Sequence, residues 1–149
     1  MTDDLRAMIK RHEGLRLSPY FCPAGKLTIG YGWNLDIHLL PSDIASYFHI
    51  HGAITKDMAE RLLNISIDCA IRQCEGTFER FKDFSDNRRM AVIDFVFNCG
   101  IGTALKFKKA LKAIMDGDWN RAADEFQDSD WFSQVGERGP EIVRMIREG

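Results

Sequence analysis

The stretch Leu27-Thr28-Ile29-Gly30-Tyr31-Gly32-Trp33 decides how this chain is read. Its side chains alternate: Leu27, Ile29, Tyr31 and Trp33 fall on one face, Thr28, Gly30 and Gly32 on the other. A period of two predicts a β-strand. One face of that strand is nearly stripped of side chains, a pattern that marks close approach by a ligand or another backbone. Upstream, Leu15 to Cys22 runs into the turn Pro23-Ala24-Gly25-Lys26, so the two segments together predict a β-hairpin.

Outward from the hairpin the periodicity becomes helical. Thr2, Asp3 and Asp4 favour a helix start, Leu5, Met8, Ile9 and His12 carry its spacing, and Gly14 ends it. Ser42 to His51 forms a short amphipathic helix stopped by Gly52, and Thr55 caps a long one with apolar positions at Met58, Leu62, Ile65, Ala70 and Ile71. Met90 to Phe97, preceded by Ser85, is apolar almost all round and predicts a central buried helix. Further helices are expected near Leu105–Met115, Asn120–Asp128 and Pro140–Arg147. The fold class is α+β and mostly helical: a small hairpin lobe (about 13–54), a linking helix (about 56–76), and an all-α lobe (about 77–149) joined by the N-terminal helix. A cleft between such lobes is the default place for a ligand.

Bulk properties narrow the ligand. With 149 residues, 45% hydrophobic and 28% charged, the chain fits one domain. A net charge of −2 with mixed signs argues against nucleic acid. No apolar run nears the roughly 18 residues that span a bilayer, and Met1-Thr2-Asp3-Asp4 lacks the order of a signal peptide. The expectation is therefore a protein made in the cytoplasm, without stable membrane insertion, whose passage to any outside substrate comes from elsewhere. Cys22, Cys69, Cys74 and Cys99 match no zinc spacing, and His49 and His51 lack a third ligand.

Glu13 stands out chemically. It occupies the last turn of the first helix, where the macrodipole disfavours negative charge by about 0.3–1 kcal/mol, a setting suited to an acid that must donate a proton. Chain geometry brings Glu13, Cys22 and Thr28 to one end of the hairpin.

These residues carry a resemblance. His12-Glu13-Gly14-Leu15-Arg16-Leu17, then Tyr20, then Leu27-Thr28-Ile29-Gly30-Tyr31-Gly32 resembles the active-site signature of phage-type lysozymes (endolysins). That signature is Glu, eight residues, Asp or Cys, five residues, Thr, which Glu13, Cys22 and Thr28 match. Segments resembling the family continue through Gly52–Leu63, Phe97-Asn98-Cys99-Gly100 and Trp131–Gln134, with Arg138 four residues further on.

The resemblance implies a two-lobed lysozyme architecture, no cofactor and no metal. It also implies hydrolysis of the β-1,4 bond between N-acetylmuramic acid and N-acetylglucosamine in peptidoglycan. Glu13 would protonate the glycosidic oxygen, Thr28 would orient water, and Arg138 falls where the family places an arginine that pairs with the catalytic Glu. Gly30, Gly32, Asn34 and Phe97 match positions along the substrate cleft, Asn34 through its backbone. The implied setting is phage or prophage lysis by a monomer released to the wall with the help of a holin.

Cys22 departs from the best-known members, which carry Asp there. A thiolate supports an oxocarbenium ion or positions water only if its pKa falls below about 8.5. Hydrolysis is the preferred reading. A covalent step through sulfur and a lytic transglycosylase with Glu13 acting almost alone stay open, as do a catalytically weak glycan-binding protein and a structural role in a phage particle.

Overall fold

A computed structural model describes residues 1–149. The chain divides into two compact units, Thr2–Asp68 and Cys69–Gly149, the latter also taking Met1. The sequence grouping joined the N-terminal helix to the helical lobe. By its contacts this helix instead goes with the small unit, where Arg6 and Lys10 reach Glu60.

In the first unit, α1 (Thr2–Glu13) precedes a three-stranded antiparallel sheet of β1 (Arg16–Phe21), β2 (Leu27–Gly30) and β3 (Trp33–Asn34), in the order β1-β2-β3. Gly14 closes α1 at φ +69°, donating its N–H to the Lys10 carbonyl at 2.9 Å. β1 pairs with β2 through Tyr20↔Thr28 and Phe21↔Leu27, with an irregularity between Arg16 and Tyr20. The single strand expected from Leu27 to Trp33 is broken in two. Gly30 (φ +67°) and Gly32 (φ +80°) adopt left-handed conformations, so the chain turns at Tyr31 and returns as β3. Alternation was read correctly as extended backbone, but the two glycines serve the turn as well as a bare face.

The helix α2 (Ser42–His51) ends at Gly52 with φ 67°, as the sequence implies. α3 (Lys56–Thr77) starts where the Thr55 hydroxyl accepts the Met58 N–H at 3.1 Å, and it runs through the division between units. Leu5, Ile9, Ile29, Ile44, Leu62 and Leu63 are fully buried.

The second unit is helical. After a 3-10 turn at Phe81–Asp83 come α4 (Asp86–Cys99), the short α5 (Ile101–Ala104), α6 (Lys108–Asp116), α7 (Trp119–Gln127), α8 (Asp130–Gln134) and α9 (Arg138–Glu148). Ser85 caps α4 by accepting the Arg88 N–H, and every residue from Met90 to Val96 is buried, as an all-round apolar helix requires. Edge-on aromatic contacts fix the core: Phe95 meets Phe126 at 4.7 Å, Phe107 at 5.0 Å and Trp131 at 5.1 Å. Trp131 is thus a core side chain, and its indole N–H donates to Asn98 Oδ1 at 2.8 Å. α5 and α8 were not anticipated, because four or five residues are too few for helical periodicity to register. No helix is long and apolar enough to cross a membrane.

Candidate active site

The first unit holds six of the anticipated residues: Glu13, Cys22, Thr28, Gly30, Gly32 and Asn34. Glu13 ends α1, half-buried, and its carboxylate lies against the β2–β3 turn. A Cβ on Gly32 would stand 2.7 Å from Glu13 Oε2 and 3.0 Å from its Cδ. The space left by this glycine is therefore occupied by the acid itself. Gly30 differs: a Cβ there would make ordinary contacts with Ala59 and Ile54, at 3.5 and 3.6 Å. Its bare face meets α3 and the segment before it.

These two glycines yield a paired prediction. Gly32→Ala incurs about 1–2 kcal/mol of left-handed strain and pushes the flexible Glu13 carboxylate aside. Lytic activity should fall by about ten- to a hundredfold in protein that still folds. Gly30→Ala carries similar strain but leaves Glu13 in place, so its folded fraction should keep near-normal turnover. Turbidity clearing of cell walls beside a thermal melt separates the two, and equal activity for both variants would contradict this placement of Glu13.

Cys22 lies at the tip of the hairpin, half-buried. Its N–H donates to the Lys26 carbonyl at 3.0 Å, and its carbonyl accepts the Gly25 N–H at 2.8 Å, a tight turn. Burial pushes the thiol up. The backbone N–H groups of Lys26 and Ala24, the Thr28 hydroxyl and the N–H of Cys22 itself outweigh that and hold the pKa below the ordinary 9.0. Thr28, 4% exposed, has one proton to give: it donates to the Lys26 carbonyl at 2.9 Å and can turn it to the sulfur when Cys22 ionises.

Tyr20 joins this group. Register pairs it with Thr28, and its phenol is pushed up first by burial and then by the charges of Glu13 and Cys22, against which Arg16 acts. The guanidinium of Arg16 sits 5.1 Å from the Tyr20 ring centroid. Glu13 and Cys22 therefore both lie within electrostatic reach of one phenol. Asn34 spends its polar groups locally: its carbonyl accepts the His38 N–H at 3.0 Å and its Oδ1 accepts the Asp36 N–H at 2.9 Å.

The second unit holds the remaining two candidates. Phe97 is half-buried near the end of α4. Arg138, 7% exposed, lies at the start of α9, and its Nε stands 3.0 Å from Oδ1 of the fully buried Asp94. Asp94 was overlooked by the sequence reading. Its signal was available, as the one acid inside an otherwise apolar helix face.

Cys74 and Cys99 are of a different kind. All four are free thiols, and burial pushes Cys74 and Cys99 up to about 12. Thiolate character rises as pH passes through each pKa, so Cys22 becomes reactive at lower pH than either. Iodoacetamide at neutral pH should label Cys22 before Cys74 and Cys99, as peptide mapping would read. Labelling of Cys74 or Cys99 ahead of Cys22 would remove the basis for an activated thiol.

The phage lysozyme family matches this chain over residues 10–146. The chain is 28% identical, over its whole length and 96% of the relative's, to a Dictyostelium discoideum protein named "Probable T4-type lysozyme 2". It is 31% identical to the endolysin of Acyrthosiphon pisum secondary endosymbiont phage 1, over 89% of this chain and 82% of that one. A 26% identity to the pre-baseplate central spike protein Gp5 of Enterobacteria phage T4 covers 99% of this chain but 29% of the spike protein. The family's match across residues 10–146, beside an endolysin 31% identical over most of both chains, establishes that the chain belongs to the phage lysozyme family and is a lysozyme-type enzyme acting on peptidoglycan.

Proposed function

We propose that this protein hydrolyses the β-1,4 bond between N-acetylmuramic acid and N-acetylglucosamine, with Glu13 as the general acid. One observation carries the proposal: the Glu13 carboxylate is held against the Gly32 turn of the same small sheet whose β1–β2 hairpin carries Cys22 and Thr28. Glu13 gives its proton to the glycosidic oxygen as the bond to the sugar's anomeric carbon breaks. The oxocarbenium-like centre that forms is positively charged, and water adds to it.

Most glycosidases of this kind set a second carboxylate beside that centre. Here the second group is a thiol held below its ordinary pKa by donors aimed at the sulfur. As thiolate, Cys22 supplies the missing negative charge, and Thr28 orients water with its oxygen lone pairs. Arg138 is carried into the same role only by the family resemblance, as a partner that balances the Glu13 charge. Asn34, through its backbone, and Phe97 are read as positions along the glycan path, while Gly30 and Gly32 leave room for Ala59, Ile54 and the Glu13 carboxylate. The enzyme works as a monomer without a cofactor, and reaches the wall after a separate holin-type protein opens the membrane.

Digestion of purified peptidoglycan followed by mass spectrometry of the soluble muropeptides tests the reaction. Products ending in reducing N-acetylmuramic acid, gained with one oxygen from labelled water, support hydrolysis. Anhydro-muramic products would assign a lytic transglycosylase, in which the sugar's own hydroxyl attacks and Cys22 need carry no charge. Binding of glycan without products would leave a glycan-binding protein.

A further inference from the structure

Four side chains of the first unit converge beside the Glu13 turn and are not used by the chemistry above. Glu60, on α3, accepts from Arg6 Nη2 at 2.7 Å through Oε2, and from Lys10 Nζ at 2.5 Å and the Tyr31 hydroxyl at 3.3 Å through Oε1. The Lys10 ammonium also stands 5.5 Å from the Tyr31 ring centroid. The site is sheltered: the Arg6, Lys10 and Glu60 side chains are 24%, 32% and 21% exposed, and Tyr31 is buried.

The placement of these anchors is what matters. Arg6 and Lys10 lie one turn apart on the same face of α1, and Glu13 lies three residues beyond Lys10, about 4.5 Å along the helix axis. Sliding or rolling of α1 at Lys10 therefore reappears almost undiminished at the acid. On the other side, Tyr31 is the middle residue of the turn whose next residue, Gly32, touches the Glu13 carboxylate. One carboxylate thus ties together the two pieces of backbone whose separation sets where the acid stands.

We propose that Glu60 is a positioning residue: it locks α1 to the Gly30–Gly32 turn through Lys10, Arg6 and Tyr31, and so fixes Glu13 for proton transfer. This rests on reading Glu13 as the acid. Glu60 touches no reacting atom and acts through the elements it joins. Lys10 and the other donors hold its carboxyl below its ordinary range, so it stays charged where the enzyme would work. Misplacement of a catalytic group by a fraction of its reach costs rate rather than binding, and the loss appears in kcat.

The test compares Glu60→Ala, Glu60→Gln, Tyr31→Phe and the Glu60→Ala/Tyr31→Phe double variant on soluble peptidoglycan fragments, with a thermal melt for each. Glu60→Ala should lower kcat about tenfold with KM within about twofold. Glu60→Gln retains an acceptor at Oε1 and should recover most of that kcat while its melting temperature stays reduced. Tyr31→Phe should lower kcat at least about threefold in the parent and not at all in the Glu60→Ala background.

A folded Glu60→Ala with parental kcat overturns the proposal. So do losses that simply multiply in the double variant, or a Glu60→Gln variant whose kcat falls in step with its melting temperature. Should Glu60→Ala fail to fold, Tyr31→Phe decides alone: a kcat loss at unchanged KM supports the clamp, and parental kcat overturns it. Glu13→Gln run alongside keeps the two readings apart, because parental turnover in that variant removes the acid itself, whatever Glu60 does.

Discussion

Glu13→Gln should leave a folded protein that lyses peptidoglycan about a hundred- to ten-thousandfold more slowly than the parent, the usual span for losing a general acid. The substitution keeps the shape of the side chain, so the close contact with Gly32 survives. What is lost is the acidic proton, together with the charge of the carboxylate. Leaving-group departure from a glycoside without protonation places negative charge on an alkoxide oxygen, and no other side chain of the hairpin is positioned by the signature to neutralise it. Stability should change by less than about 1 kcal/mol, because Glu13 is only half-buried and a surface-like polar swap seldom does more. Release of muropeptides by the variant, followed beside its thermal melt, gives the answer. A rate within tenfold of the parent, in a protein that melts normally, would transfer the acid's role to another residue and dissolve the mechanism built on Glu13.

Asp94→Ala should produce the largest loss of stability, about 3–5 kcal/mol out of the roughly 5–15 that hold such a domain folded. Asp94 is 0% exposed and Arg138 7%, with Nε and Oδ1 3.0 Å apart. Removing the acid takes a carboxylate away from a guanidinium that is itself buried, and a buried charge that loses a close counter-ion is destabilised. Asp94→Asn keeps a hydrogen-bond acceptor and should lose less, about 1–3 kcal/mol. Replacing both partners by apolar residues, Asp94→Leu with Arg138→Met, should recover much of the loss, since it is the broken pair that destabilises. Urea unfolding of the three variants measures this. If Asp94→Ala and the double variant unfold at the same urea concentration, the pair contributes no coupling.

Much of the molecule was legible in its residues. Thr55, Ser85, Gly14 and Gly52 set helix ends through local hydrogen bonds and left-handed backbone, so they act wherever the chain goes. The β1–β2 pairing is similarly a local matter: the tight turn at Cys22–Gly25 sets Tyr20 opposite Thr28, while Glu13 stands past the other end of the hairpin, against Gly32. The same holds for the buried α4, where apolar residues on every side leave no face for water.

What the sequence left open is where charges and backbone meet across long separations. The glycine-lined face looked like room for a ligand, yet at Gly32 the atom filling it belongs to Glu13, nineteen positions earlier in the chain. Whether the Cys22 thiol would be raised or lowered depended on three N–H groups and a hydroxyl turning toward one sulfur, a matter of turn geometry and not of composition. Nothing in the sequence sets Glu60 apart from other helix acids, and only packing set Arg6, Lys10 and Tyr31 around it. Asp94 stands inside an apolar run, and nothing near it in sequence points to Arg138, forty-four residues later, as the group beside it. Periodicity and caps are written into neighbours three or four residues apart. Electrostatic partners are chosen by whatever the folded backbone brings within a few ångströms, and for those the tertiary structure alone decides.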